Sequence, residues 1–309
     1  MNRPRSNEKQ GQRTAVRHVE VSGDDAGRRI DNFLKGILGD VPMSMVYRIL
    51  RKGEVRVNGG RIKQSYRLAA GDQVRLPPLF LDTSNPVRVP RGAQRRFEAA
   101  ILFEDDELMV INKPSGWASQ GGTGVEFSLI DVARAARPHA PSVDLAHRLD
   151  KGTSGCLVLS KNHRALAGVH QVIRDRAVGK FYLALHCGRI PSGLKQFDQA
   201  LDRDGTTQTA LTEIQSVEYL GASTLTHLRL ITGRTHQIRA QSASIGYPLA
   251  GDQKYGDRAF NRACRRGGLR RLFLHASKIQ LPLATGALEV SAPLPEDLEV
   301  FLAQARNDA

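Results

Sequence analysis

The sequence predicts an α+β fold in two unequal parts, and three observations predict it. With 309 residues, 40% of them hydrophobic, the chain exceeds the usual single-domain size and can bury a sizeable core. Its apolar periodicity switches between the helical and the extended repeat without regular strand–helix alternation, which argues for a mixed or antiparallel sheet. A stretch at 82–97, DTSNPVRVPRGAQRRF, has two prolines, four arginines and little periodicity, and reads as a linker.

Taken in order, residues 1–18 carry Arg3, Arg5, Lys9, Arg13 and Arg17 with few apolar positions, and are expected to form a disordered basic arm. Residues 19–81 form a small α+β module. Ile30, Phe33, Leu34 and Ile37 fall at helical spacing, and a second helix is expected over Ser44 to Arg51 with Ser44 as its N-cap. VRVNGG alternates at Val55 and Val57 and ends in an Asn58-Gly59 turn, and GDQVRLPP is another Gly-Asp turn into a strand. Arg29, Lys35, Arg48, Arg51, Lys52, Arg56 and Arg61 stud this module, several at spacings that gather them on one face.

After the linker, residues 98–309 make the larger domain. LMVINKP (108–114) reads as a buried strand stopped by Pro114, CLVLS (156–160) as another, and KFYLALH alternates with Lys180, Tyr182 and Ala184 on one side. THLRLITG alternates too. Helices are expected at Leu129 to Ala136, His163 to Arg176, in the stretch opened by RTHQIRAQSA, and from Glu296 to Ala305.

Lys and Arg outnumber Asp and Glu 45 to 31, a formal charge of +14, which favours a polyanionic partner, nucleic acid first. No apolar run approaches the ~20 residues of a spanning helix, and no signal-peptide apolar region opens the chain, so no membrane role is expected and the cytoplasm is the expected compartment. Cys156, Cys187 and Cys264 are widely spaced and odd in number, indicating neither a disulfide framework nor a zinc site.

Chemistry concentrates in three places. HRLDKGTSG (147–155) packs an acid, bases, hydroxyls and glycines before a buried strand; read alone, Asp150 fits a turn residue and a catalytic acid equally. In TGRTHQIR (232–239), Thr235 and Arg239 stand one helical turn apart, and an arginine beside Asp150 would keep that carboxylate ionised and oriented; the plainer reading is a solvated helix face. Tyr182 shares a strand face with Lys180 and could stack on a base, although a tyrosine packed in the core is the ordinary expectation. DRDGT (202–206) has the outline of an aspartyl-phosphate phosphatase motif but lacks a buried strand before it, and reads as a loop. RACRRGGLRR (262–271) reads as a loop that either touches RNA or is simply solvated.

These motifs, with INKPSGWASQGG (111–122) and LFLHASKIQLP (272–282), stand in the order and spacing of the RluA-type family of RNA pseudouridine synthases, which residues 97–302 resemble. The basic module, GRRIDNFLKG, SMVYRILRKGEVRVNG and GDQVRL in succession, resembles the S4 RNA-binding domain, the usual companion of the family's ribosomal members. The resemblance implies isomerisation of uridine to pseudouridine without cofactor or metal, by a monomer acting on 23S rRNA or a large-subunit precursor particle. It further implies Asp150 as the catalytic aspartate, Arg239 as its partner, and Tyr182 stacking on the flipped base. Arg148 would take the space the uridine vacates, with His147, Lys180, Arg234 and His236 also contacting substrate. Arg29, Arg48, Arg51, Lys52 and Arg56 would grip RNA from the S4-like module. Lys151 replaces a more usual arginine, and Gly205-Thr206 stands where the family commonly has a Gly-Lys pair. The rival readings are a non-catalytic S4-type RNA-binding or ribosome-assembly protein and an N-glycoside hydrolase.

Overall fold

The computed structural model describes residues 11–38, 41, 43–82, 89–121, 125–203, 206–284 and 286–308. The chain divides into two compact units, residues 1–88 and 89–309.

In the first unit β1 (Gly11–Arg13), β2 (Arg17–Glu20), α1 (Ile30–Leu38), α2 (Met43–Arg51), β3 (Arg56–Val57), β4 (Gln73–Leu76) and β5 (Phe80–Asp82) follow one another. A three-stranded antiparallel sheet, β2-β4-β3, packs with the two helices around Ile30, Phe33, Leu34, Val46, Ile49, Val55 and Val74. Asn58 and Gly59 both take positive φ, 50° and 78°, the backbone of a type I′ turn. The Asn58 amide pins that turn, donating to Asp72 at 2.8 Å and accepting from the Gln73 N–H at 2.9 Å.

Three expectations need correction here. The basic arm does not run to His18: Gly11–Arg13 pairs with β5, and Arg17–Glu20 pairs with β4, whose buried Val74 and Leu76 face the core. Residues 1–10 lie outside the described residues. The second helix begins at Met43, so Ser44 lies inside its first turn instead of capping it.

The third correction concerns the linker. Only residues 83–88 of it lie outside the described residues, and α3 (Arg91–Glu98) is a helix whose Ala93 and Phe97, four apart, are buried in the core of the second unit.

From there β6 (Ile101–Glu104), β7 (Leu108–Lys113), α4 (Leu129–Ala136), β8 (Asp144–Leu145), β9 (Ser154–Ser160), α5 (His163–Arg174) and β10 (Gly179–Cys187) lead into the sheet. Next come β11 (Gln196–Phe197), β12 (Leu201–Arg203), β13 (Thr206–Gln208), β14 (Thr212–Leu220), β15 (Ser223–Leu230) and α6 (Gln237–Ser244). The chain closes with α7 (Arg258–Arg266), β16 (Leu274–Leu283), β17 (Gly286–Ser291) and α8 (Glu296–Asn307). The main path of the sheet is β11-β14-β15-β10-β16-β9-β7-β6, with β17 on β16 and β8 on β9. Among the described residues every pair is antiparallel except β9 with β16, so the fold is α+β on a mixed sheet.

β7 and β9 are covered on both faces, which is why they read as continuous apolar runs. Met109, Ile111, Leu157 and Tyr182 pack to one side with α3 and α4; Val110, Val158 and Ile279 pack to the other with α5. The parallel pair fixes the backbone next to the HRLD loop. Gly155, at φ +111°, crosses β16 so closely that a Cβ there would lie 2.2 Å from the Ala276 carbonyl oxygen. Only glycine fits. The DRDGT stretch is not a plain loop: β12 and β13 pair as a hairpin on either side of residues 204–205. RACRRGGLRR likewise opens as the second half of helix α7.

Candidate active site

Asp150 opens a backbone turn, its carbonyl accepting from the Thr153 N–H at 3.1 Å. Its carboxylate takes no part in that turn and instead accepts from Arg239. The loop is held from outside by INKPSGWAS. Ser119 Oγ donates to the Leu149 carbonyl at 2.8 Å, Ser115 Oγ to Gly152 at 2.9 Å, and the Gly116 N–H to Lys151 at 2.8 Å. Lys113, wholly buried, donates to the carbonyls of Pro114 (2.9 Å) and Trp117 (3.0 Å) and more weakly to Lys151 at 3.4 Å. Burial, then the charge of Arg271, push its ammonium down to about 7, against the pull of Asp150.

Arg239, on α6, joins two carboxylates. Its Nη1 donates to Asp150 at 3.0 Å, while Nε and Nη2 reach Asp252 at 2.7 and 2.9 Å in a two-pronged pair. Burial works against its charge, but the bonds to Asp252 and Asp150 outweigh it and hold the guanidinium above its ordinary pKa. The Asp252 side chain is fully buried and also accepts the Lys254 and Tyr255 N–H groups at 2.9 and 3.1 Å. Burial alone would raise its pKa; Arg239 and these amides bring it below the usual range. Tyr255 lies with its ring 5.3 Å from the Arg239 guanidinium carbon, and its hydroxyl stands 3.2 Å from His236 Nδ1.

Helix α6 begins at Gln237, not within GRTH as expected: His236 sits in the left-handed region at φ 55°, and Thr235 precedes the helix. Two buried glutamines hold this helix. Gln237 donates to Leu211 O and accepts from Thr232, and Gln241 donates to the carbonyls of Phe197, Gln199 and Ala210. They fix the roll of α6 and so the aim of Arg239.

Asp150 and Arg239 lie in a cleft of about 640 Å³, whose lining includes Tyr182, Lys180, Arg148, Arg234 and His236. Tyr182 is 6% exposed and belongs to the core on one side while lining the cleft on the other; burial, then the Asp150 charge, raises its phenol. Lys180 also borders the cleft, its ammonium lowered by burial. His236 Nε2 is 3.8 Å from the second Asp150 oxygen, and burial lowers its pKa. Arg148 and Arg234 are exposed at the cleft. His147 borders it as well, but its Nε2 accepts the Val158 N–H at 3.2 Å, and burial brings it down to about 4, so a neutral imidazole braces the loop.

In the first unit, Arg48, Arg51 and Lys52 are exposed, Arg56 is partly so, and Arg29 is already engaged with Asp31 at 2.6 and 3.1 Å. The residues that the family resemblance implied, Asp150, Arg239, Tyr182, Lys180, Arg148, Arg234, His147 and His236, all border this one cleft. Sequence reasoning missed Asp252, Tyr255, Lys113 and the two glutamines; the only available signal for Asp252 was a Gly-Asp pair that reads as an ordinary turn.

Residues 107–244 match the family described as RNA pseudouridylate synthase, and residues 28–74 match the S4 domain. The chain belongs to the RNA pseudouridylate synthase family. It is 41% identical to the ribosomal large subunit pseudouridine synthase C of Vibrio vulnificus over 96% of this chain and 98% of that one. Against the protein of the same name from Escherichia coli K12 it is 41% identical, over 95% and 98% of the two chains. Among solved structures, human RNA pseudouridylate synthase domain containing 4 shares 28% identity with a TM-score of 0.57, covering 69% of this chain and 95% of that one. The chain is thus an RNA-modifying isomerase with an RNA-binding S4 domain. Among the described residues no helix is long and apolar enough to cross a membrane.

Proposed function

We propose that the chain converts uridine to pseudouridine at defined positions of 23S ribosomal RNA, free or in an assembling large-subunit particle, as a cytoplasmic monomer with Asp150 as the catalytic group. The observation that carries this reading is the Asp150 carboxylate paired to Arg239 at 3.0 Å in a cleft also lined by Tyr182. The substrate class comes from relatives whose names specify the large ribosomal subunit.

The isomerisation breaks the N1–C1′ bond and forms C5–C1′; C5 loses its proton, N1 gains one, and nothing else is consumed. Asp150 as a carboxylate serves either of two routes, attack on C1′ or removal of the C2′ proton to give a glycal. Arg239 orients it and keeps its charge balanced. A base stacked in folded RNA must leave its helix at a cost of a few kcal/mol, which stacking on Tyr182, Arg148 in the vacated space, and phosphate contacts from Arg234 and Lys180 offset. His147 braces the loop, His236 flanks the carboxylate, and Arg29, Arg48, Arg51, Lys52 and Arg56 of the S4 domain add a tethered second grip.

A carbodiimide primer-extension map of 23S rRNA tests this in cells lacking the protein, complemented with wild type or Asp150→Ala. Specific stops should vanish on deletion and return only with wild type. Restoration by Asp150→Ala would overturn the catalytic role, and a map unchanged by deletion would favour the RNA-binding reading. An abasic product would instead identify a hydrolase.

A further inference from the structure

We infer that the outward face of α7 is a phosphate-binding surface for the substrate RNA, separate from both the S4 domain and the reaction cleft. The inference rests on the reading above that the substrate is RNA.

At 3.6 residues per turn, Arg258, Arg262, Arg265 and Arg266 fall within an arc of about 100° on the helix. All four are exposed, as is Arg270 beyond the helix end. Among the described residues, none of the five has an ion pair or a hydrogen-bonded side-chain partner. Elsewhere in this domain Arg137 pairs with Glu98 and Glu104 and Arg306 with Glu218, while Arg91 and Arg95 on α3 are exposed and unpaired among the described residues; α7 differs in gathering four such arginines on one face. Two like-charged pairs one turn apart, Arg258 with Arg262 and Arg262 with Arg266, each cost the helix about 0.2–0.5 kcal/mol. The helix dipole offsets part of that cost for Arg266 in the last turn, but among the described residues no carboxylate pairs with this face to offset the rest. A polyanion would.

The opposite face shows that α7 is fixed in place. Cys264 is buried with Phe273, Leu298 and Phe301, and Asp257 caps the helix start by accepting the Phe260 N–H at 2.6 Å. Asn261 accepts the Gly251 N–H at 2.7 Å and donates to the Asp252 carbonyl at 2.9 Å. The helix is therefore bolted to the residue whose carboxylate holds Arg239, and through it to Asp150. A solvated face has no need of this indexing. A strand whose uridine must reach Asp150 does, because phosphates gripped on α7 then lie at a fixed offset from the cleft. The chemistry recognised is the RNA phosphate backbone, without base selectivity.

The test compares full-length wild type with Arg258→Gln/Arg262→Gln/Arg266→Gln. Binding to unmodified 23S rRNA transcript is measured across a salt series, and KM and kcat by tritium release from RNA labelled at uridine C5. A control variant, Arg91→Gln/Arg95→Gln/Lys195→Gln, removes the same charge from exposed residues that are not on α7 and do not line the cleft. Losing three phosphate contacts should make the log–log salt slope shallower by about 2, at ~0.7 per single-strand contact. KM should rise at least about ten-fold, with a smaller effect on kcat, and the control should shift the slope by no more than a few tenths.

An unchanged slope and KM in the α7 variant, or an equal loss in the control, overturns the proposal. Should the triple variant melt early, Arg262→Gln alone is expected to lose about 0.7 of slope. Because the slope is read without turnover, wild-type protein that binds the transcript but forms no pseudouridine defeats the functional reading, and the slope still decides this one.

Discussion

Replacing Asp252 by Asn changes no volume and touches no substrate, yet it should disable the site. One Asp252 oxygen, Oδ1, accepts Arg239 Nη2 at 2.9 Å, Lys254 N at 2.9 Å and Tyr255 N at 3.1 Å; the other, Oδ2, accepts Arg239 Nε at 2.7 Å. An asparagine can keep its oxygen on the three-donor side. Its NH₂ then faces the Nε–H, so one charge-assisted bond is lost and another is weakened. At about 1.5–3 kcal/mol for a bond to a charged group and roughly 1 for the weakening, stability should fall by about 2.5–4 kcal/mol. This lies at the low end for breaking a buried ion pair. The guanidinium loses one of the two prongs that aim it at Asp150, and a misplacement on the ångström scale costs about a hundred-fold in rate. The assay is tritium release from C5-labelled uridine RNA at a temperature where circular dichroism shows the variant folded, together with a urea melt. A variant with wild-type kcat and an unchanged midpoint would refute the argument that Asp252 positions Arg239.

Tyr182→Leu removes a stacking face worth about 1–3 kcal/mol, so kcat/KM should fall between about five- and 150-fold, whereas Tyr182→Phe should stay within a few-fold; equal losses in the two would show that the ring is not what matters. Gly155→Ala forces a Cβ to 2.2 Å from the Ala276 carbonyl and should cost more than about 3 kcal/mol, read as a collapse in Tm; an unchanged Tm would mean the parallel pair can yield. His186 and His275, both fully buried, are brought down by burial to about 4 from 6.5. The unfolded chain therefore binds protons first, and stability is unaffected above about 6.5 and falls as pH drops toward 4. Between pH 6.5 and 5 the loss is at most about 2 kcal/mol for each histidine, and equal urea midpoints at pH 7 and pH 5 would refute it.

Much of the site was legible because the motifs that carry the family resemblance are local stretches, although the residues read alone left their roles open. Asp150 precedes a strand with an apolar centre, CLVL, and Tyr182 and Lys180 share the parity of one strand. What was missed depends on contacts across the chain. Asp252 acts through a pair with Arg239 thirteen residues away, and no local spacing marks it. The strand Arg17–Glu20 is mostly exposed and shows no apolar alternation of its own; only its partner β4 reveals it. α3 buries only Ala93 and Phe97 among many arginines, too narrow a stripe to outweigh two prolines. α7 was hidden the same way, its inward face carried by Phe260, Asn261 and Cys264 and its flank by the glycines at 267 and 268.

The sharing of one guanidinium by two aspartates also gives the cleft a polarity. Asp150, Arg239 and Asp252 together carry one net negative charge, while exposed Arg148 and Arg234 stand at the cleft. On the function proposed above, a uridine approaching this arrangement should have its phosphates drawn to the arginines and turned away from the carboxylates, so that the uncharged uracil leads. The electrostatic layout would then sort incoming uridines by orientation before any atom of the base is recognised, favouring base-first entry.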